Sequence, residues 1–226
     1  MRLDLRSGFA QAEKISVDHP LAKRAKRRAH LTMSLVVRPL TPARWGDLET
    51  IFNAKGCSVA RGCWCMYYRV SGKGPLTRPG DGQRSRSKEA LKALADRDPP
   101  PGLIGYRGRT PVGWISLGPR QDFAKLAKSP VMKPVDDQPV WSVVCFVVPS
   151  EYRRQGVARE LLAGAVAYAR ERGVRLLEAY PVDQEDTGAA EGSWFGSKRM
   201  FDAAGFKEVA RRKPSRPVVR LKLVER

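Results

Sequence analysis

Between Trp141 and Gly173 the chain reads WSVVCFVVPSEYRRQGVARELLAGAVAYARERG, and no other stretch constrains the fold as tightly. Its first eight residues are apolar on both alternating faces apart from Ser142, as expected of a central strand covered on both sides. Pro149 has no N–H to donate and ends the ladder. From Gly156 the period changes. Ala158, Leu161, Leu162, Ala165, Val166 and Ala169 recur at spacings of three and four, Arg159, Glu160, Arg170 and Glu171 take the other face, and Gly173 is the stop. The spacing predicts an amphipathic helix over 156–172, packed on a strand over 141–148. With 226 residues, 42% of them hydrophobic, the chain can bury the core of one α/β domain plus an appendage.

The junction between strand and helix carries the chemistry. In RRQGVA a glycine and two small residues stand where the helix begins, and the first N–H groups of a helix have no intrahelical acceptors. Gly156 lets the backbone approach a phosphate, the helix dipole favours negative charge, and Arg153, Arg154 and Arg159 surround the spot with positive charge. The segment reads as a cradle for a pyrophosphate; the plainer alternative is an ordinary strand-to-helix turn.

Elsewhere the patterning predicts a strand at 34–38, a helix at 43–53 begun by Thr41-Pro42, and a helix in SRSKEALKALADR after a glycine- and proline-rich loop. PGLIGYRGRTPVGWISLG reads as a β-hairpin turning at 107–111. A long connection over 119–139 with a short helix at 121–127 leads into the central strand. After helix 156–172 the pattern predicts a strand at 174–180, an acidic loop, a helix at 194–204 and a last strand at 217–223.

Forty-two Lys and Arg against twenty-three Asp and Glu give a net charge of +19, which favours an anionic ligand or partner. Eight of the basic side chains lie within residues 1–32, which show no sustained periodicity and read as a basic, disordered leader. Folding is expected to start near Met33, so that residues 33–226 form the domain. No stretch is apolar enough for a membrane helix or a secretory signal, and the expectation is a soluble, cytoplasmic protein. Cys57, Cys63, Cys65 and Cys145 are too few for a disulfide framework. Cys-x-Cys is not a zinc knuckle and both histidines, His19 and His30, lie in the leader, so no metal site and no thiol chemistry is expected.

The order of elements resembles the GCN5-related N-acetyltransferase (GNAT) family. Its signature, Gln/Arg-x-x-Gly-x-Gly/Ala, is matched by Arg153, Gly156 and Ala158 after a strand ending in Val-Val-Pro. PVGWISLG upstream and VRLLEAY, SKRMFDAAGF and a final strand downstream fall in the family's order, so that the resemblance covers roughly 34 to 224. It implies an α/β (α+β) fold, a mixed, mostly antiparallel central sheet flanked by helices, with splayed strands at 141–148 and 174–180. It also implies acetyl-CoA as acyl donor. Carried over residue by residue, the backbone of Phe146, Val147 and Val148 would pair with the pantetheine amides. Arg153, Arg154, Gln155, Gly156, Val157, Ala158 and Arg159 would hold the pyrophosphate.

The reaction implied is transfer of acetyl to a primary amine of a small molecule or peptide. It needs a route for the amine proton, a donor for the oxyanion and an acid for the thiolate. The tyrosine that often supplies the acid in this family is Phe201 here, which leaves Ser197, Tyr180 or water. Glu178 is the leading candidate for the base, with Asp183 behind it; the alternative for Glu178 is a salt-bridged strand carboxylate. Trp64, Tyr67, Tyr68 and Trp114 are candidates to line the acceptor pocket, or else pack in the core. Two competing readings are an acyl-CoA-binding protein without efficient catalysis and a basic nucleic-acid-binding protein. The second is disfavoured because no helix-turn-helix, zinc finger or RNA-binding aromatic motif is present. The basic surface favours acidic over polycationic acceptors. Oligomeric state is open, dimers being common in the family.

Overall fold

A computed structural model describes residues 34–71, 82–183 and 193–223. The chain divides into a unit ending at Ser34 and a second beginning at Leu35, so the expected leader lies outside the described residues. The second unit is built on a seven-stranded sheet. Its strands are β1 (Leu35–Pro39), β2 (Gly102–Arg107), β3 (Thr110–Pro119), β4 (Trp141–Val147), β5 (Leu176–Ala179), β6 (Lys207–Arg211) and β7 (Pro217–Lys222). They lie in the order β1-β2-β3-β4-β5-β7-β6. Every neighbouring pair is antiparallel except β4 and β5. This is the mixed, mostly antiparallel sheet flanked by helices that the resemblance implied.

The helices are α1 (Trp45–Asn53), α2 (Ser58–Cys63), α3 (Gln83–Ala93), α4 (Ala124–Ala127), α5 (Val157–Glu171) and α6 (Lys198–Ala203). Helix α5 buries Leu161, Leu162, Ala165, Val166 and Ala169, as its spacing predicts, together with Val157, while Ala158 is only partly covered; this face packs against Leu103, Ile115, Val143 and Leu177 of the sheet. The opposite face of the sheet carries two clusters. Trp45, Leu48, Phe52 and Trp64 from α1 and its surroundings pack on Ile104, Trp114 and Val147. Phe123, Leu126, Met132 and Phe195 pack on Val144, Tyr180 and Val218.

The helix expected at 194–204 is broken. A 3-10 turn occupies Ser193–Phe195, Gly196 takes φ +76°, and Ser197 caps a new helix by accepting from the Met200 N–H at 3.3 Å. Strand β6 has no counterpart among the sequence expectations. Its residues are mostly exposed and it pairs with β7 alone, so it carries no alternating apolar signal, and Lys207, Glu208 and Arg211 are the charges of a protected edge.

Candidate active site

Strands β4 and β5 pair only at Trp141–Leu177, Ser142–Glu178 and Val143–Ala179. Beyond them β4 runs on to Val147 and β5 stops, so the two strands part. On the other side of β4 the register shifts: Ser116 faces Cys145 and Leu117 faces Val143, leaving Val144 as an extra residue. The C-terminal half of β4 therefore offers backbone groups on an edge that β5 does not cover, where an extended ligand could add as a strand. Phe146 and Val147 lie here. Their side chains are buried, Phe146 edge-on to Phe201 with ring centroids 6.2 Å apart, so their backbone is the part available to a ligand.

At the end of β4 the chain turns through Pro149 and a 3-10 turn at Ser150–Tyr152 into α5. Arg154 adopts φ +59° and Gly156 φ +80°, and Gly156 stands at the N-cap with no side-chain cap. A Cβ at Gly156 would meet only Glu160 Oε1, 3.7 Å away, so the space in front of the helix start is open. The N–H groups of Val157, Ala158 and Arg159 face that space without intrahelical acceptors. Arg154 and Arg159 are exposed and make no ion pair or hydrogen bond among the described residues. Arg153 is placed differently from the sequence expectation. Its Nε donates to the Val148 carbonyl at 3.0 Å and its Nη2 to the Gly56 carbonyl at 2.6 Å, so it fastens the loop rather than waiting for an anion.

Arg107, at the end of β2, escaped the sequence reading. Only 3% of its side chain is exposed, and its Nη2 donates to the Gln155 carbonyl at 3.0 Å and to Glu160 Oε1 at 2.8 Å. Its Nη1 reaches Gln155 Oε1 at 3.3 Å. Gln155 in turn donates to the Glu151 carbonyl, and Glu160 Oε2 accepts from the Leu35 N–H. A buried arginine thus fixes both the loop and the first turn of α5. In the sequence it is simply the last residue of a hairpin strand, and only its odd charge beside an apolar run could have marked it.

The two leading catalytic candidates are both engaged. Glu178 is fully buried; its Oε1 accepts from Arg120 and from the Tyr180 hydroxyl at 2.6 Å, and its Oε2 accepts from Arg220 Nε at 2.8 Å. That is the salt-bridged carboxylate of the two readings, and with both oxygens occupied it has no face for an amine. The Tyr180 hydroxyl also meets Ser142 at 3.0 Å, and burial, then the Glu178 charge, push it far above the ordinary phenol value, which makes it a poor proton donor. Ser197 is exposed and accepts the Met200 N–H as a helix cap, which leaves its hydroxyl proton free to donate, and Asp183 pairs with Arg211 at 2.7 Å.

Of the proposed pocket residues, Trp64 and Trp114 are core. Trp64 stacks on Phe52 and Trp45 at centroid distances of 4.8 and 5.7 Å, and Trp114 lies edge-on to Phe52. Tyr67 is exposed and Tyr68 half-buried, edge-on to one another and with Tyr68 against Phe195. Tyr68 stands at the sheet face with Val144 and Cys145, where β4 and β5 part, and Tyr67 leans on its ring from outside. The four cysteines are free thiols. Among the described residues no three metal-binding side chains gather, and no helix is long and apolar enough to cross a membrane.

A profile of the acetyltransferase (GNAT) family matches residues 75–191, more than half of the chain. Among solved structures, a GNAT-family acetyltransferase from Listeria monocytogenes 4b F2365 is 9% identical, with a TM-score of 0.50 over 84% of this chain and 95% of that one. The PaiA N-acetyltransferase from Thermoplasma acidophilum, in complex with coenzyme A, is 19% identical, with a TM-score of 0.48 over 84% and 100%. An acetyltransferase from Thermus thermophilus is 18% identical, with a TM-score of 0.47 over 84% and 98%. No curated protein matches. At such identities the likeness concerns the fold, and it is the family profile, spanning β2 to β5 and the loop before α5, that decides membership: the chain belongs to the GNAT acetyltransferase family.

Proposed function

We propose that residues 33–226 form a cytoplasmic acetyltransferase domain that moves the acetyl group of acetyl-CoA to a primary amine. The observation that carries this reading is a pair of open backbone stretches, one on β4 and one at the start of α5, joined by the loop 148–156. The edge of β4 past Val143 runs into the open N-terminus of α5 at Gly156, with Arg154 and Arg159 beside it. The pyrophosphate would sit on the N–H groups of Val157, Ala158 and Arg159, and the pantetheine arm would pair with the backbone of Phe146, Val147 and Val148. The thioester then lies near Val144 and Cys145, where a β4 N–H can hold the oxyanion as the amine attacks. Because Glu178 and Asp183 are held in ion pairs, the amine proton leaves through water, and the thiolate is reprotonated by water or with help from the Ser197 hydroxyl, whose proton is free.

Calorimetric titration of acetyl-CoA tests the reading, with Gly156→Glu as control. Micromolar binding lost in Gly156→Glu, together with acetylation of an amine, is the expected result; no binding by the wild type would refute it. A second reading, acyl-CoA binding without efficient catalysis, is favoured by Phe201, fully buried where the family often has an acidic phenol. Binding with no turnover on any amine would select it.

A further inference from the structure

Four deeply placed arginines among the described residues are matched by acids, and the half-buried Arg216 is not. Arg69 pairs with Asp122, Arg107 with Glu160, and Arg120 and Arg220 with Glu178. Arg216 meets no carboxylate among the described residues. Its guanidinium lies over the Phe195 ring, 3.8 Å from the centroid, and its Nη2 reaches the Tyr180 carbonyl at 3.2 Å and Met132 Sδ at 3.9 Å. Its Nε is buried with no partner. Lys125 repeats the arrangement nearby: Nζ stands 3.7 Å from the Tyr67 centroid, its backbone N–H donates to the Tyr68 carbonyl, and it forms no ion pair among the described residues. Burial lowers the pKa of both cations, which registers the cost of desolvating charge without a counter-charge.

Both cations belong to the wall at which β4 and β5 part. Tyr68, Phe195, Val144, Cys145 and Tyr180 are one cluster there; Arg216 rests on the Phe195 ring, and Lys125 on the Tyr67 ring beside Tyr68. An apolar cluster flanked by two cations that have no carboxylate partner among the described residues suits a group that is negative at one end and apolar at the other. A planar guanidinium suits a carboxylate in particular.

We propose that the acceptor is a small amine that carries a carboxylate and an aromatic or apolar side chain, with Arg216 and Lys125 as the residues that select the carboxylate. This rests on the acetyl-transfer reading above. The same chemistry is offered by a free amino acid and by a short acidic peptide.

The test uses the full chain, acetyl-CoA and matched acceptors: phenylalanine against phenylalaninamide and phenethylamine, and phenylalanyl-glutamate against phenylalanyl-glutamine, both with amidated C-termini. Coenzyme A release is followed with a thiol reagent. A charge-assisted hydrogen bond is worth about 1.5–3 kcal/mol, so kcat/KM for the acid should exceed that of its neutral partner by about 10- to 100-fold, chiefly through KM. Preference in the first set identifies an amino acid, and preference confined to the second identifies a peptide. Arg216→Met and Lys125→Met should each bring the ratio towards one. Turnover with equal kcat/KM within every pair, a ratio that survives both substitutions, or better turnover of polyamines would overturn the proposal. Calorimetry of N-acetylphenylalanine against its amide, with coenzyme A present, reads the site without turnover. Tighter binding of the acid by at least tenfold, lost in Arg216→Met, supports the proposal even if no amine is acetylated; equal affinities overturn it while leaving acetyl transfer intact.

Discussion

Replacing Glu178 by glutamine separates an anchor from a base. The carboxylate has no exposed surface and is shared by Arg120 and Arg220, whose side chains are 14% and 8% exposed. Arg220 keeps a second acid in the substitution, since its Nη1 and Nη2 donate to Asp136 at 2.6 and 3.0 Å. Arg120 does not: its remaining partners are the Met132 carbonyl and the Tyr180 hydroxyl, both at 2.6 Å and both neutral. Glutamine also brings an NH2 group to face a guanidinium that is itself only a donor. Removing one member of a buried pair typically costs about 3–5 kcal/mol, because the other charge stays behind without compensation. For a chain of this size each kcal/mol moves the melting temperature by about 2–4 °C, so Glu178→Gln should melt roughly 6–20 °C below the wild type. Urea unfolding at pH 7 supplies the free energy directly. Adding Arg120→Met should recover part of the loss, since it removes the stranded cation. A variant within about 1 kcal/mol of wild type but slower in acetyl transfer by about a thousandfold would refute the anchor and restore Glu178 as the base.

Arg107→Gln should weaken acetyl-CoA binding by about tenfold without altering its salt dependence, because Arg107 holds the loop through Gln155 and Glu160 and faces no phosphate, whereas Arg159→Gln should flatten the salt slope; calorimetry at two ionic strengths distinguishes them. Burial, then the neighbouring Cys65 thiol, push the Cys63 thiol up to about 12. At pH 8 it should alkylate with iodoacetamide about a thousandfold more slowly than an ordinary thiol, measured by mass spectrometry of the native protein; rapid labelling would contradict the burial. Burial likewise raises Tyr68 to about 12, so the folded state holds a proton that the unfolded state has begun to lose at about pH 10. The stability linked to it is complete below about pH 10 and disappears between about pH 10 and 12, and Tyr68→Phe should show a shallower fall in urea midpoint over that window than the wild type.

What could be read from sequence were features with a period. Helix α5 declared itself through Leu161, Leu162, Ala165 and Val166, and β4 through an apolar run too short for a helix and closed by Pro149. Gly156 carries its conformational role in its residue type, which is why the open helix start at the end of β4 was legible. Strand β6 was not, since an edge strand with exposed faces has no periodic apolar signature. The catalytic candidates illustrate a different obstacle. Glu178 lies on a strand of four buried residues, and whether such a carboxylate is a base or an anchor depends on Arg120 and Arg220, 58 and 42 residues away in sequence. The same is true of Arg107, whose partners Gln155 and Glu160 lie 48 and 53 residues distant. Long-range pairing of charges leaves no local pattern.

Part of the net charge of +19 comes from arginines that serve as donors to backbone carbonyls. Arg212 donates to the carbonyls of Val131, Lys133 and Pro134, Arg120 to that of Met132, and Arg69 to those of Pro101 and Leu117. Arg153 and Arg216 do the same for Val148, Gly56 and Tyr180. The connection between β3 and β4 has little regular structure of its own, and its carbonyls need donors that a sheet or helix would otherwise supply. Arginine serves with its five N–H groups; Arg69 and Arg120 are matched by Asp122 and Glu178, whereas Arg153, Arg212 and Arg216 add a positive charge with no carboxylate partner among the described residues. These three arginines are structural donors to carbonyls rather than part of a nucleic-acid footprint, which requires cations presented together on one open face. Among the exposed cations without such duties are Arg154 and Arg159 at the start of α5, while Lys125 and the half-engaged Arg216 stand where β4 and β5 part. A donor whose phosphates occupy the first place and an acceptor whose carboxylate occupies the second would meet at Val144, the one residue of β4 that the β3 ladder leaves without a partner.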